Sequence, residues 1–232
     1  MKPLLRGGLC LVLFLLAGCS TDRTALREFS RAYARFYDTV VGIEVPARIA
    51  LYLRNVYGLA LHDALDADAT NHSRAQAAAL TISMYNTQVE PALAEAALNL
   101  SHMNGALDTL VVTAHAIRDA EARQLAVEVT QHARDMELAY AALLDRSRQK
   151  LRLQVGAAQK MVVMSGSMQA FSYMVHDADE IPRLAEECDR QWRAAMTSGN
   201  RASDAFAALR GRFRVPEYPS AWDTTETSRR SR

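Results

Sequence analysis

The sequence predicts an all-α protein, folded as an antiparallel bundle of about six or seven helices. Apolar residues recur at three- and four-residue steps through long stretches rich in alanine, leucine, arginine and glutamate. Glycine and proline seldom interrupt these stretches, and no segment shows the alternation typical of a strand. The spacing from one helix pair to the next is not constant, but a degenerate helical-hairpin array, similar to tetratricopeptide repeats, is left open as the alternative.

The first two predicted helices hold the candidate ligand residues. The helix over 22–42 carries an aromatic stripe that includes Tyr33 and Phe36, and a stripe at helical spacing is more often core than a ligand pocket. The helix over 46–65, which contains Tyr57, is apolar on nearly every side except near Arg54. Arg54 is therefore a candidate buried charge that needs a carboxylate, with the binding of an anionic ligand as the alternative.

The middle of the chain predicts long helices with several interruptions. A helix over 74–103 should kink or split at Pro91, and Asn104-Gly105 should end it. The next pattern, over 107–143, has nearly heptad spacing. Its polar run, 118–124, is either a hairpin turn or an exposed face of one long helix.

The last third predicts two further helices after a methionine-rich segment. Residues 161–175 include an uncharged run too short to span a bilayer, which fits core packing better than a site for a partner or an apolar ligand. A helix over 180–197 should stop at Ser198-Gly199-Asn200, where a short helix to about 212 begins.

The amino terminus has the three parts of a secretory signal. Lys2 and Arg6 precede an uncharged run of about 12 residues, too short for a transmembrane helix of roughly 20. The run ends in Leu16-Ala17-Gly18-Cys19, which resembles the lipobox of bacterial lipoproteins. The resemblance implies that Cys19 is diacylglycerated, that the peptide is cut before it, and that its new amino group is acylated, commonly with palmitate.

This resemblance gives the expected organisation and location of the chain. Ser20 follows the cysteine where an aspartate would favour the inner membrane, so an outer-membrane protein facing the periplasm is favoured, with a Gram-positive surface as the alternative. The expected parts are a removed signal peptide (1–18), the lipidated cysteine with a short tether (19–24), one helical domain (25–213), and a tail (214–232) that is disordered or docks through Tyr218 and Trp222.

Composition disfavours nucleic acid as a partner. The net charge is +1, and only the last four residues concentrate basic side chains. Cys188 is the single thiol left after processing, so no internal disulfide can form, and its acidic neighbours make it a poor nucleophile.

No motif supports an enzyme. The sequence lacks the glutamate-histidine spacing of di-iron bundles, the zincin motif, nucleotide-binding glycine loops and the nucleophile elbow. A metal-dependent enzyme using His62 to His72 is a weak third reading. We therefore expect no catalytic residue, no metal and no cofactor.

Two functions remain open. The first is a non-enzymatic accessory or adaptor lipoprotein, which holds a protein partner close to the membrane. The alternative is a periplasmic binding protein for an apolar or amphipathic small molecule, held between helices near Tyr33, Phe36 and Tyr57.

Overall fold

A computed structural model describes residues 22–44, 47, 70–164, 167, 180–216 and 218. This part of the chain consists of helices and short connections without a strand, and it confirms the all-α class. The predicted helix over 46–65 apart from Ala47, most of the methionine-rich segment, and residues Cys19, Arg54 and Tyr57 lie outside the described ranges.

The described ranges contain four bounded α-helices and one further helical stretch. The described residues thus hold fewer helices than the six or seven predicted from the sequence, because two predicted interruptions lie inside continuous helices. The elements are α1 (22–44, with Ala47 also helical), α2 (Asn71–Met84), a π-helical turn (Tyr85–Val89), α3 (Glu90–His115), α4 (Ala120–Val163) and α5 (Glu180–Phe213).

The predicted stops at Asn104-Gly105 and Ser198-Gly199-Asn200 are wrong, since α3 and α5 continue through them. A glycine inside a helix costs about 1 kcal/mol relative to alanine, and packing of the neighbouring residues offsets such a cost. A Cβ atom at Gly199 would lie 3.0 Å from Sδ of Met136. This glycine therefore allows α4 and α5 to approach closely and does not end a helix.

The break predicted at Pro91 takes the form of the π-helical turn. The N–H of Glu90 donates to the carbonyl of Tyr85, five residues earlier, as in a π-helix. Pro91 has no N–H, and its ring would clash with the carbonyl of Thr87 in a regular helix. The wider turn before Glu90 lets the chain remain helical past the proline.

The polar run at 118–124 contains a turn, so α3 and α4 form a hairpin. Helix α3 ends at His115, and α4 begins at Ala120. Asp119 caps α4, because its Oδ1 accepts the N–H of Ala122 at 2.8 Å.

Helix α4 has 44 residues and one continuous buried stripe. At 1.5 Å per residue it is about 66 Å long. The stripe alternates four- and three-residue steps, which is the heptad spacing of helices packed at a shallow angle. Its members are Ala122, Ala126, Val129, Ala133, Met136, Tyr140, Leu143, Ser147, Lys150, Gln154, Ala157 and Met161.

The chain divides into two compact units, each built from several chain segments. The first unit comprises 1–39, 103–136 and 197–232, and the second comprises 40–102 and 137–196.

In the first unit, α5 runs antiparallel to α4. Met136 lies against Gly199, and Glu121, near the start of α4, forms an ion pair with Arg212, near the end of α5. The backbone N–H of Arg118 donates to Oδ1 of Asp22 at 3.0 Å, which joins α1 to the turn after α3.

In the second unit, α2 and α3 run antiparallel to α4. One cluster joins Val89, Leu93 and Ala96 to Leu144 and Leu151. A second cluster joins α2, which precedes α3, to a part of α4 that follows the part contacted by α3. This reversed order is what antiparallel packing requires. Its buried members are Ala78, Ala157, Ala158 and Met161.

Helix α5 completes the second unit against α4. The ring of Trp192 meets Tyr140 edge-on at 6.3 Å between centroids, and Nε of Arg146 lies 3.1 Å from a carboxylate oxygen of Glu187. Helix α1 approaches α3 through Gly42, whose carbonyl accepts a 3.0 Å hydrogen bond from Nδ2 of Asn99.

Two leucines of α3 provide a matched test of this packing. Leu93 is 4% exposed and Leu98 is 58% exposed. We expect Leu93→Ala to lower the free energy of unfolding by about 2–5 kcal/mol, because it leaves a cavity. Leu98→Ala should change it by less than about 0.5 kcal/mol. Urea unfolding followed by circular dichroism measures both; equal losses would contradict the assignment of the buried face.

Candidate functional site

The aromatic stripe of α1 packs against α5 within the first unit. Phe36 is 1% exposed, and Phe29 is fully buried. The ring of Tyr33 stacks on Phe206 with 4.0 Å between centroids and 23° between planes, and Phe29 lies 6.3 Å from the same ring. Tyr33 and Phe29 thus help to hold α1 on α5, and Phe36 is a core residue.

Burial changes the acidity of Tyr33. Desolvation raises the pKa of its hydroxyl to about 12, the negative charge of a nearby tyrosinate at Tyr37 adds to the rise, and a hydrogen bond with Ser203 opposes it. The group is therefore neutral at any physiological pH. It can serve as a hydrogen-bonding group but not as a general base.

The other residues singled out from the sequence are not brought into one site. His72 is exposed in the first turn of α2, while His62 lies outside the described residues. No cluster of metal-ligating side chains occurs in the described ranges. Cys188 is buried in the second unit, with Sγ 3.6 Å from Oγ of Ser147.

The beginning of the carboxy-terminal segment lies along α1. Oγ of Ser30 donates a 2.7 Å hydrogen bond to the carbonyl of Pro216. Val215 is buried, and the guanidinium of Arg31 lies 4.9 Å from the centre of the Tyr218 ring. These contacts hold the residues that follow α5 beside the first turns of α1.

A cavity of about 230 Å³ lies between these two segments. Three of its seven lining residues are arginines, two from α1 and one from the residue after α5. We call it the arginine cavity, and its lining consists of Arg23, Leu26, Arg27, Phe213, Arg214, Val215 and Pro216.

The three arginines of the arginine cavity are exposed to solvent. Among the described residues, no hydrogen bond or ion pair reaches the guanidinium groups of Arg23, Arg27 or Arg214. Two acidic residues of the first unit have other partners. Asp22 accepts the N–H of Arg118, and Glu121 pairs with Arg212.

A second polar feature lies inside the second unit. Ser147, Lys150 and Gln154 occupy three consecutive positions of the buried stripe of α4, and Lys150 is 1% exposed. Lys150 has an interaction partner, so its ammonium group is not an isolated buried charge. The one cavity described, the arginine cavity, is not lined by any residue of this layer.

Sequence reasoning missed both features. The i, i+4 pair Arg23 and Arg27 is visible in the sequence. Arg214 is distant in the chain, and no sequence pattern links it to that pair. Lys150 could have been noticed, because Lys150 and Lys160 are the only lysines after Lys2 and the heptad register points Lys150 inward.

Comparison with models of protein families, with curated proteins and with solved structures finds no match to this chain. The fold and the sites therefore carry the argument about function. Over the described residues, no helix combines the length and the apolar character needed to cross a membrane.

The raised pKa of Tyr33 predicts a loss of stability at alkaline pH. Between pH 10 and about 12 the unfolded chain loses this proton while the folded chain keeps it, so the free energy of unfolding falls as pH rises. Tyr33→Phe should keep the ring stack and remove the contribution of Tyr33 to the fall of the free energy of unfolding with pH. Urea unfolding at pH 9 to 12 checks it, with Tyr218→Phe as the control; identical slopes for wild type and Tyr33→Phe would contradict it.

Proposed function

We propose that this chain is a membrane-tethered, non-enzymatic lipoprotein that acts as an accessory or adaptor for a protein partner in the cell envelope. The observation that carries the proposal is the exposure of two leucines on the second unit. Leu98 of α3 is 58% exposed and Leu138 of α4 is 59% exposed.

Both leucines stand at the outermost position of a heptad. Leu98 lies midway between Ala96 and Leu100, which contribute to the core, and Leu138 lies midway between the buried Met136 and Tyr140. Such positions are normally polar in a bundle. A protein partner that lays a helix or groove against these faces would bury the leucines.

The proposed tether follows from the lipobox-like sequence at Cys19. Only Ser20 and Thr21 lie between that residue and Asp22, the first residue of α1, and three extended steps reach only about 10 Å. Two or three acyl chains would give lasting attachment, since one chain binds only marginally. The domain would then act close to the membrane surface, with the periplasmic face of an outer membrane favoured over a Gram-positive surface.

We further propose that the mature domain is an antiparallel bundle rather than a tetratricopeptide-like repeat. The antiparallel pairing of α4 with its neighbours inside each unit supports this arrangement. Helix α4 alone has 44 residues, whereas a complete tetratricopeptide repeat with two helices has about 34.

The contacts of Tyr33 and Phe36 do not favour a small-molecule site at these two residues. Tyr33 is stacked on Phe206 and Phe36 is in the core, so these rings have partners within the fold. The adaptor therefore remains the preferred function.

Lipidation predicts that the chain incorporates palmitate at Cys19. Cells grown with an alkyne-bearing palmitate analogue should label the wild-type protein and not Cys19→Ser, which should also leave the membrane fraction. Cys188→Ser is the matched control, because that thiol is buried and should not affect the label. Equal labelling of wild type and Cys19→Ser would overturn the proposed anchor.

Partner binding predicts site-dependent crosslinking. A photoreactive amino acid at position 98 or 138 should give the same protein adduct in cells, whereas position 148, also exposed in the second unit, should give at least about fivefold less.

The adduct at one position must also depend on the other exposed leucine. With the photoreactive group at position 98, Leu138→Ala should reduce the yield several-fold, while Arg152→Ala should leave it unchanged. Adducts of equal yield at positions 98, 138 and 148 would argue against an adaptor surface here.

A further inference from the structure

The arginine cavity has the features of an anion site inside the first unit. Arg23 and Arg27 are one helical turn apart on α1, and like charges at this spacing repel each other. Arg214 brings a third positive charge to the same cavity. Arg23, Arg27 and Arg214 are exposed to solvent and have no protein partner among the described residues. An anion that enters the cavity would replace the water around these guanidinium groups and relieve the repulsion.

The backbone at Arg214 provides a second, independent observation. Its φ of 51° makes it the only non-glycine residue with positive φ in the described chain. Glycine is the usual residue at this position after a helix, since a Cβ atom is unfavourable there. The chain thus has an arginine at a strained position that would suit glycine better, and that arginine lines the cavity. Stability of the fold does not explain the choice.

We propose that the arginine cavity binds the phosphate group of an anionic phospholipid. Guanidinium groups donate paired, charge-assisted hydrogen bonds to phosphate oxygens. The volume of about 230 Å³ suits a headgroup rather than a larger ligand. The apolar side chains of Leu26, Phe213 and Val215, which complete the wall, can contact the carbon atoms next to the phosphate.

The identity of the phosphate source rests on the proposed membrane tether. Arg23 follows Cys19 by four residues, so at most about 14 Å of extended backbone separates them. A cavity held this close to the anchor meets phospholipid headgroups at high local concentration. A soluble phosphate compound has the same chemistry, and the experiment must separate the two sources.

The test uses the mature protein, isolated from its membrane in a nonionic detergent. Calorimetric titrations with dihexanoyl phosphatidylglycerol, dihexanoyl phosphatidylcholine and inorganic phosphate are compared. We expect saturable binding of phosphatidylglycerol at least about tenfold tighter than that of the other two, weakening as salt is raised.

The variants separate binding from stability. Arg214→Gly removes one charge and the backbone strain together, so its melting temperature should stay the same or rise while the affinity for phosphatidylglycerol falls at least about tenfold. Arg23→Gln with Arg27→Gln should reduce affinity further. Arg134→Gln is the control for Arg214→Gly, and Arg123→Gln with Arg134→Gln is the control for the double variant. Each control removes the same number of charges from exposed positions of α4 in the first unit.

Each other outcome overturns the proposal. Equal affinity for inorganic phosphate and phosphatidylglycerol would exclude a lipid as the intended source. Equal losses in the control and cavity variants would mean a general charge effect and no site. Unsaturable binding would exclude the cavity altogether. The palmitate label at Cys19 is measured independently, so failure of lipid binding and failure of the proposed anchor are distinguishable.

Discussion

The buried stripe of α4 is the interaction on which the rest of the fold depends. Its twelve positions keep the heptad spacing over the helix without a break. Contacts from this one helix reach α2 and α3 in the second unit and α5 in both units. The stripe begins with small residues and has large ones from Met136 to Leu143, so neighbouring helices can approach closely at some levels and interlock at others.

The polar part of this stripe restricts how the helices can pair. Ser147, Lys150 and Gln154 follow one another at core positions, and Ser147 contacts Cys188 of α5. A register shift between α4 and α5 would separate that pair. Buried polar residues lower stability in general, but a polar residue at one core position is a known means of fixing register.

Periodicity made the helices predictable, and packing decided where they end. The three- and four-residue steps predicted α1, the α3–α4 region and α5. Single-residue signals failed at Gly199, because the close approach of Met136 gives that glycine a use inside a helix. Pro91 was predicted more successfully, since a missing N–H and a steric clash act in any context. The arginine cavity was beyond prediction, because the antiparallel packing of α1 and α5 brings Arg214 to Arg23.

In the first unit, unfavourable features are concentrated at one end of the packed pair of helices α1 and α5. Tyr33 and Phe29 pack against Phe206 and bury the apolar surface between α1 and α5. The ends of these helices lie beyond that contact, so unfavourable features there do not disturb the core. Unpaired like charges and a positive φ at Arg214 both occur in this one place. Because each is unfavourable alone and neither contributes to packing, their coincidence is better explained by a ligand than by folding.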